Sequence, residues 1–208
     1  MEDRAVGQSV VLEEADERID HGRCVEETVL QLSVFLTDFG WLGLLGHRQK
    51  IVSLTIGHIS ADGAREAIAG KLATENDEGT RPVVEWDWFP ELRQRLEGYT
   101  QGEPVDFGDC EIETRPQTPF QSRVLAITRR IRYGTTVTYG ELAEQAGAPR
   151  AARAVGSVMA SNRVPVIIPC HRVVAAGGKL GGFTAPQGIN LKQQLLTMEA
   201  GQTANGET

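Results

Sequence analysis

The sequence predicts an α+β protein. An N-terminal domain with a small antiparallel sheet and helices precedes a mainly helical C-terminal domain bearing a helix-turn-helix of the winged type. Three observations lead there. Apolar and polar residues alternate along 50–58, after two further strand-like runs and a short polar turn at Arg48–Gln49. Two capping patterns, Thr118-Pro119-Phe120-Gln121 and Thr138-Tyr139-Gly140-Glu141, open helical stretches in the second half. Charge is divided along the chain as well. The 208 residues carry a net −7, yet 115–199 hold eleven Lys/Arg against three carboxylates, a local +8. Residues 1–114 hold ten basic against 24 acidic side chains, a local −14.

Taken in order, 1–27 is acidic and weakly patterned, as expected of an arm outside the folded core. Strands are predicted at 28–35, 40–47 and 50–58, with turn spacing that suits an antiparallel hairpin. Ala67, Ile68 and Leu72 share a face of a helix over 62–76. Phe89, Leu92 and Leu96 recur at helical spacing within 88–97, and the Gly/Asp-rich stretch 99–113 links the halves. The scaffold domain is therefore drawn at 28–114, the second domain at 115–201 and a tail at 202–208.

From Thr118, Val124, Leu125, Ile127 and Ile131 carry a helix to Arg132. A second short helix runs from the Thr138 cap to Ala146, Gly147-Ala148-Pro149 turns the chain, and Pro149 opens a third over 150–161. Two short helices joined through a glycine-containing turn make a helix-turn-helix. The apolar run 164–168 reads as a buried strand entering Pro169-Cys170-His171-Arg172. Gly177, Gly178, Gly181 and Gly182 mark a loop, and Asn190 caps a last helix over 191–200 that Gly201 ends.

Several classes of function are disfavoured. Three cysteines are too few for a disulfide framework, and their odd count suits a reducing compartment. The first seventeen residues lack the basic start and apolar run of a secretory signal. No stretch reaches the roughly 18 apolar residues of a membrane span. A cytoplasmic protein is expected, nucleoid-associated or, in a eukaryote, nuclear. The overall −7 argues against a nucleic-acid partner, but the basic segment argues for one.

Cys170 is the candidate nucleophile. A buried thiol is inert unless a neighbour takes its proton. His171 can do so directly or through a water, with Glu199 orienting the imidazole. Neighbours on a strand face opposite ways, so the pair cooperates only if the chain bends at 169–172. The competing reading is a buried cysteine beside a chance histidine. The stretch 150–160 combines Arg150 and Arg153 with Ala151, Ala152, Ala154 and Gly156, small residues that let a backbone approach DNA or, equally, a neighbouring helix. Tyr139 can donate to a substrate oxygen or fill the core, and Asn162 can be a helix C-cap. Cys24 with His21, and His47 and His58 farther on, lack the paired spacing of a metal site, so no metal is expected.

Together these residues resemble the O6-alkylguanine-DNA alkyltransferase family, the methylated-DNA–protein-cysteine methyltransferases. The resemblance runs from Thr118 to Gly201. It rests on Thr138-Tyr139-Gly140-Glu141-Leu142-Ala143, Arg153-Ala154-Val155-Gly156, Ser161-Asn162, Val166-Ile167-Ile168-Pro169-Cys170-His171-Arg172-Val173-Val174 and Leu195-Leu196 with Glu199. It implies that Cys170 accepts an alkyl group, that His171 deprotonates it through water and that Glu199 orients His171. Asn162 would support the hinge before the active-site segment, and Tyr139 would protonate or hydrogen-bond the guanine oxygen and help turn the nucleotide out. Arg153 would fill the space of a flipped base. It further places Gln121, Gly140, Ala151, Ala152, Ala154 and Arg172 against DNA, and Val173, Val174, Phe183 and Thr184 around the base pocket. The expected partner is double-stranded DNA containing O6-alkylguanine, met by a monomer with no cofactor. One departure stands out: Phe183-Thr184-Ala185-Pro186-Gln187-Gly188 is longer than the family's usual turn and has Phe where Tyr is common. The rivals are a sensor that binds lesions without transfer and a helix-turn-helix regulator, which leaves the Pro-Cys-His-Arg string unexplained.

The charge division sets a first expectation. Affinity for duplex DNA should fall steeply between about 50 and 200 mM salt in a filter-binding titration. An affinity indifferent to salt would contradict the reading of 115–199 as the DNA-facing segment.

Overall fold

A computed structural model describes residues 29–73, 81–113 and 115–205. The expected arm at 1–27, with His21 and Cys24, lies outside them. Three antiparallel strands, β1 (Leu30–Thr37), β2 (Gly40–His47) and β3 (Lys50–His58), form the centre of a five-stranded sheet. Helix α1 (Ala61–Ala73) follows, and the expected end of that helix at 76 lies outside the described residues. The short strands β4 (Val83–Glu85) and β5 (Glu111–Ile112) complete the order β4-β1-β2-β3-β5. Both edge strands run parallel to their neighbours, so the sheet is mixed where the sequence suggested a purely antiparallel one. Each returns to the sheet only after other elements have intervened, a connection that permits parallel pairing where a tight turn does not.

The β2–β3 turn is made by Arg48 and Gln49, with φ of 47° and 63°. Two consecutive left-handed residues give the twist a two-residue hairpin requires, though neither is the glycine or asparagine that adopts it readily. Helix α2 (Pro90–Thr100) starts later than the apolar spacing implied. Pro90 takes its first turn, where a missing N–H is harmless. Trp88 instead inserts into the core, its indole Nε1 donating to the Leu44 carbonyl at 3.0 Å.

Helix α1 covers one sheet face, where Ile68 meets Leu30, Leu32, Leu45 and Val52. The opposite face is the larger core. There Leu42, Leu44, Leu54 and Ile56 pack with Leu92, Leu96 and Tyr99 of α2. Val164, Val166, Ile167 and Ile168 join the same cluster, as do Leu191 and Leu195 of the last helix, α6 (Ile189–Asn205). The two halves of the sequence thus share a core. Leu54 on β3 also donates its N–H to the Arg163 carbonyl at 2.8 Å, fixing the segment before Cys170 to the sheet. Gly57 lets α6 approach: its φ is +86°, and a Cβ there would lie 2.5 Å from a Leu191 methyl.

The remaining helices form the second cluster. Helices α3 (Pro119–Arg129), α4 (Tyr139–Gln145) and α5 (Ala152–Ala160) bury Val124, Leu142, Ala143, Val155, Val158 and Met159 against one another. Both expected capping boxes are complete: Thr118 and Gln121 exchange bonds on α3, Thr138 and Glu141 on α4. Strand β6 (Val137–Thr138) pairs in parallel with β7 (Val173–Val174). Helix α4 ends in the paired bonds Ala148 N–H to Ala143 and Gly147 N–H to Glu144, with Gly147 at φ +75°. A further turn, Ala151 N–H to Ala148, consumes 148–151, so Pro149 does not open the next helix.

Three other expectations are corrected. Helix α3 stops at Arg129, not Arg132. Helix α6 starts at Ile189 and passes through Gly201 to Asn205, so Asn190 lies inside it and most of the expected tail is helical. A glycine costs a helix only about 1 kcal/mol and need not end it. The run 164–168 is a buried turn and no strand: Ile168 N–H bonds the Val164 carbonyl, and Val166 sits at φ +72°. Prolines at 165 and 169 deny it a ladder.

The hairpin turn yields a test. Gln49→Gly should raise stability by about 0.5–1 kcal/mol in urea unfolding, because it relieves a left-handed residue at a modest entropic cost. A loss of stability would contradict the turn geometry.

Candidate active site

Cys170 opens a single 3₁₀ turn, Cys170–Arg172, which bends the chain where the nucleophile reading needed a bend. Asn162 braces the approach. Its Nδ2 donates to the Ile168 carbonyl at 2.8 Å and its Oδ1 accepts from Val164 N–H at 3.2 Å. The C-cap of α5 is Ser161, so Asn162 serves the turn rather than the helix end. Val166, a β-branched residue at positive φ, marks strain held by this bracing. Burial pushes the Cys170 thiol above its usual pKa, opposed by Asn162, Lys192, its own backbone and Lys71. The resting group is therefore a neutral thiol that must lose its proton to react.

A buried network stands behind it. Glu199 of α6 is 1% exposed and His171 is fully buried. Glu199 Oε1 lies 3.0 Å from His171 Nε2 and 2.7 Å from the Tyr99 hydroxyl, which donates to it. Arg172 donates through Nε and Nη2, the latter at 2.9 Å, and Gly134 N–H donates at 3.1 Å. Burial alone would raise the carboxyl pKa; the hydrogen bonds and charges of His171 and Arg172 overcome it and hold Glu199 at about 2. Burial lowers the His171 pKa against the opposing pull of Glu199. The imidazole is thus neutral, with its one proton on Nε2 facing the carboxylate. Nδ1 is buried and has no partner among the described residues, which leaves it a basic lone pair. Burial, then the Glu199 charge, raises the Tyr99 pKa well above 10, so that hydroxyl stays a donor.

Cys170 lines a cavity of about 780 Å³ with Tyr139, Gly140, Ala152, Arg153, Gly156, Phe183 and Thr184. Tyr139 begins α4, half-buried. Burial, then Cys170, raises its pKa, so it is a protonated donor at neutral pH. Gly181 (φ +70°) makes room for it: a Cβ there would sit 3.0 Å from the phenol oxygen. Lys192 Nζ lies 5.8 Å from the centroid of the Tyr139 ring and donates to the Val173 carbonyl at 2.6 Å. Arg153 is exposed on α5 at the rim.

The structure separates some residues that the sequence grouped. Arg172 is 6% exposed and donates to Glu199 and the Ile131 carbonyl, so it holds the network and cannot meet DNA. Val173 and Val174 are buried in β7 and wall neither cavity beside Cys170. Gln121 is engaged in the α3 capping box and is not among the cavity residues. Ala151 is the N-cap of α5, and Ala154 is exposed on that helix. His47 lies 2.5 Å from Glu113. Among the described residues no group of three His, Cys, Asp or Glu is placed to hold a metal. Sequence reasoning missed Tyr99, Lys71 and Lys192. Tyr99 stands 72 residues from His171 with no local motif to mark it.

Two short helices joined through a glycine-containing turn, with a buried cysteine at the wall of the cavity beside them, define the class. Residues 119–201 match the family described as 6-O-methylguanine DNA methyltransferase, DNA binding domain. The methylated-DNA–protein-cysteine methyltransferase of Metallosphaera sedula is 32% identical over 171 residues, 82% of this chain and 94% of that protein. The Mycobacterium tuberculosis protein of that name is 48% identical over 105 residues, 50% of this chain and 61% of its own length. The crystal structure of M. tuberculosis OGT in complex with DNA superposes with a TM-score of 0.66 at 33% identity, covering 83% of this chain and 94% of that one. The chain belongs to the methylated-DNA–protein-cysteine methyltransferase family.

Glu199 gives the sharpest test of the network. Glu199→Gln leaves Arg172 buried without its counter-charge and should cost about 3–5 kcal/mol. Because the folded carboxyl titrates near 2, the wild type keeps this contribution above the unfolded value of about 4.3 and loses it as pH falls towards 2. Urea midpoints across that range should fall in the wild type and flatten in the variant. Parallel curves would contradict the assignment.

Proposed function

We propose that this protein binds double-stranded DNA, turns an O6-alkylated guanine into the cavity between α4 and α5, and transfers the alkyl group to its own Cys170. The observation that carries this reading is Cys170 at the wall of that cavity with the His171–Glu199 pair buried behind it. Nδ1 of His171 takes the Cys170 proton through a bridging water, and Nε2–H stays on Glu199. The thiolate attacks the alkyl carbon in line with the C–O6 bond. As that bond breaks, its electron pair passes to the guanine, and Tyr139 supplies the proton that makes neutral guanine the leaving group. Arg153 stands at the rim, where it can replace the base in the stack, and the small residues of α5 let its backbone sit close to a groove. Glu199 and Asn162 act as positioning residues. The thioether has no route back, so each molecule acts once.

The basic segment supports a DNA partner. No helix among the described residues is long and apolar enough to cross a membrane. A cytoplasmic monomer is the form we assign. Cys170 in place disfavours the sensor, and its seat in the cavity disfavours the regulator.

A duplex carrying radiolabelled O6-methylguanine tests this directly. The wild type should acquire label to at most one equivalent, and Cys170→Ser should acquire none. Tyr139→Phe should slow single-turnover transfer by about 10²–10⁴-fold, the usual scale of a lost general acid. Binding without transfer would establish the sensor, and sequence-specific binding of undamaged DNA the regulator.

A further inference from the structure

Cys170 also lines a second cavity, of about 550 Å³, between the helices and the N-terminal sheet. The two cavities share Ala160, Cys170, Phe183 and Thr184, so they meet at the nucleophile. The walls of the second are unlike those of the first. Ile56, Pro165 and Ala185 supply apolar surface, and three cationic side chains line it: Lys71 from α1, Arg115 and Arg163. No Asp or Glu is among its described lining residues, although the chain as a whole is acidic. All three cations make contacts within the protein. Lys71 Nζ donates to the Leu54 carbonyl at 2.8 Å, which fixes the ammonium on β3. Burial lowers its pKa to about 8, with Cys170 pulling the other way, so it remains mostly charged at neutral pH. Alkyl transfer as derived above assigns Lys71 and Arg115 no role.

We propose that this cavity receives the substituent carried on the reacting carbon, and that Lys71 and Arg115 favour substituents ending in a carboxylate over neutral ones of equal size. The inference rests on the alkyl-transfer reading and names its substrate class. A methyl group needs no space beyond the sulfur, and a cavity of this size is ample for a substituent of several heavy atoms. A carboxylate brought there loses water, a cost that nearby fixed positive charge offsets. O6-Carboxymethylguanine is the simplest such lesion. The Cys170 sulfur bonds to the methylene carbon, the C–O6 bond breaks, and its electron pair leaves with guanine, which takes up one proton. The cysteine proton passes to His171, and the product is S-carboxymethylcysteine, with its carboxylate ionised throughout.

The experiment compares single-turnover rates on duplexes carrying O6-methyl-, O6-carboxymethyl- or O6-carbamoylmethylguanine, the last a neutral isostere of the second. The readout is the carboxymethyl-to-carbamoylmethyl rate ratio. It is insensitive to the fraction of protein folded, because one preparation meets both substrates. Lys71→Met should lower that ratio by about tenfold or more, the scale of removing a charge partner from a desolvated pair. Arg115→Gln, which leaves the Lys71–Leu54 bond in place, should lower it by a smaller factor. A ratio unchanged in both variants would overturn the proposal, as would transfer of methyl with neither larger group accepted. Absence of transfer from every duplex, methyl included, would instead overturn the alkyl-transfer reading on which the proposal stands.

Discussion

The buried carboxylate of Glu199 ties the site together. It accepts from His171, Tyr99, Arg172 and the Gly134 backbone, groups contributed by three separate stretches of chain. A charge so deeply buried is tolerated because several donors surround it and one of them is a guanidinium. The Arg172 guanidinium also reaches Ile131 and lies 5.7 Å from the Tyr133 ring centroid, extending the network into the loop before β6. One consequence is chemical: with Nε2–H held on the carboxylate, the basic nitrogen of His171 has to be Nδ1. In the proposed transfer, that nitrogen is the acceptor for the Cys170 proton.

The N-terminal sheet supports the same chemistry from the other side. The segment between Asn162 and Cys170 forms no regular structure, contains two prolines and holds Val166 in a conformation valine disfavours. It stays in place because its side chains enter the sheet's core, Arg163 accepts from β3, and Asn162 closes the turn. The loop 183–188 is tied down too, with Gln187 donating to the Gly57 carbonyl at 2.9 Å. That loop walls both cavities through Phe183 and Thr184. Sheet, turn and loop thus act as one frame around a thiol.

Features governed by neighbours in sequence were legible before the structure. The β2 and β3 boundaries and the two capping boxes follow from alternation and from four-residue patterns. The candidate nucleophile and its histidine stand in one contiguous signature, and Glu199 in a second short motif on the last helix. What the sequence concealed depends on distant partners. Residues 164–168 have a strand's composition, but their prolines and the docking on β3 make them a turn. The resemblance places Arg172 against DNA, whereas a carboxylate 27 residues away draws it inside. Tyr99 and Lys71 carry no local mark at all; only the packing of α2 and α1 on opposite faces of the sheet brings them to the site. The parallel edges of the sheet were hidden likewise, since two- and three-residue strands leave no periodicity to read.

The central claim is that Glu199 keeps His171 neutral, protonated on Nε2 and basic on Nδ1, beside an un-ionised Cys170. Nitrogen-15 NMR of the imidazole in the wild-type protein measures this directly. The account requires a neutral Nε2–H tautomer at pH 7 whose protonation midpoint lies below 6.5. An Nδ1–H tautomer, or an imidazolium already present at pH 7, would contradict it.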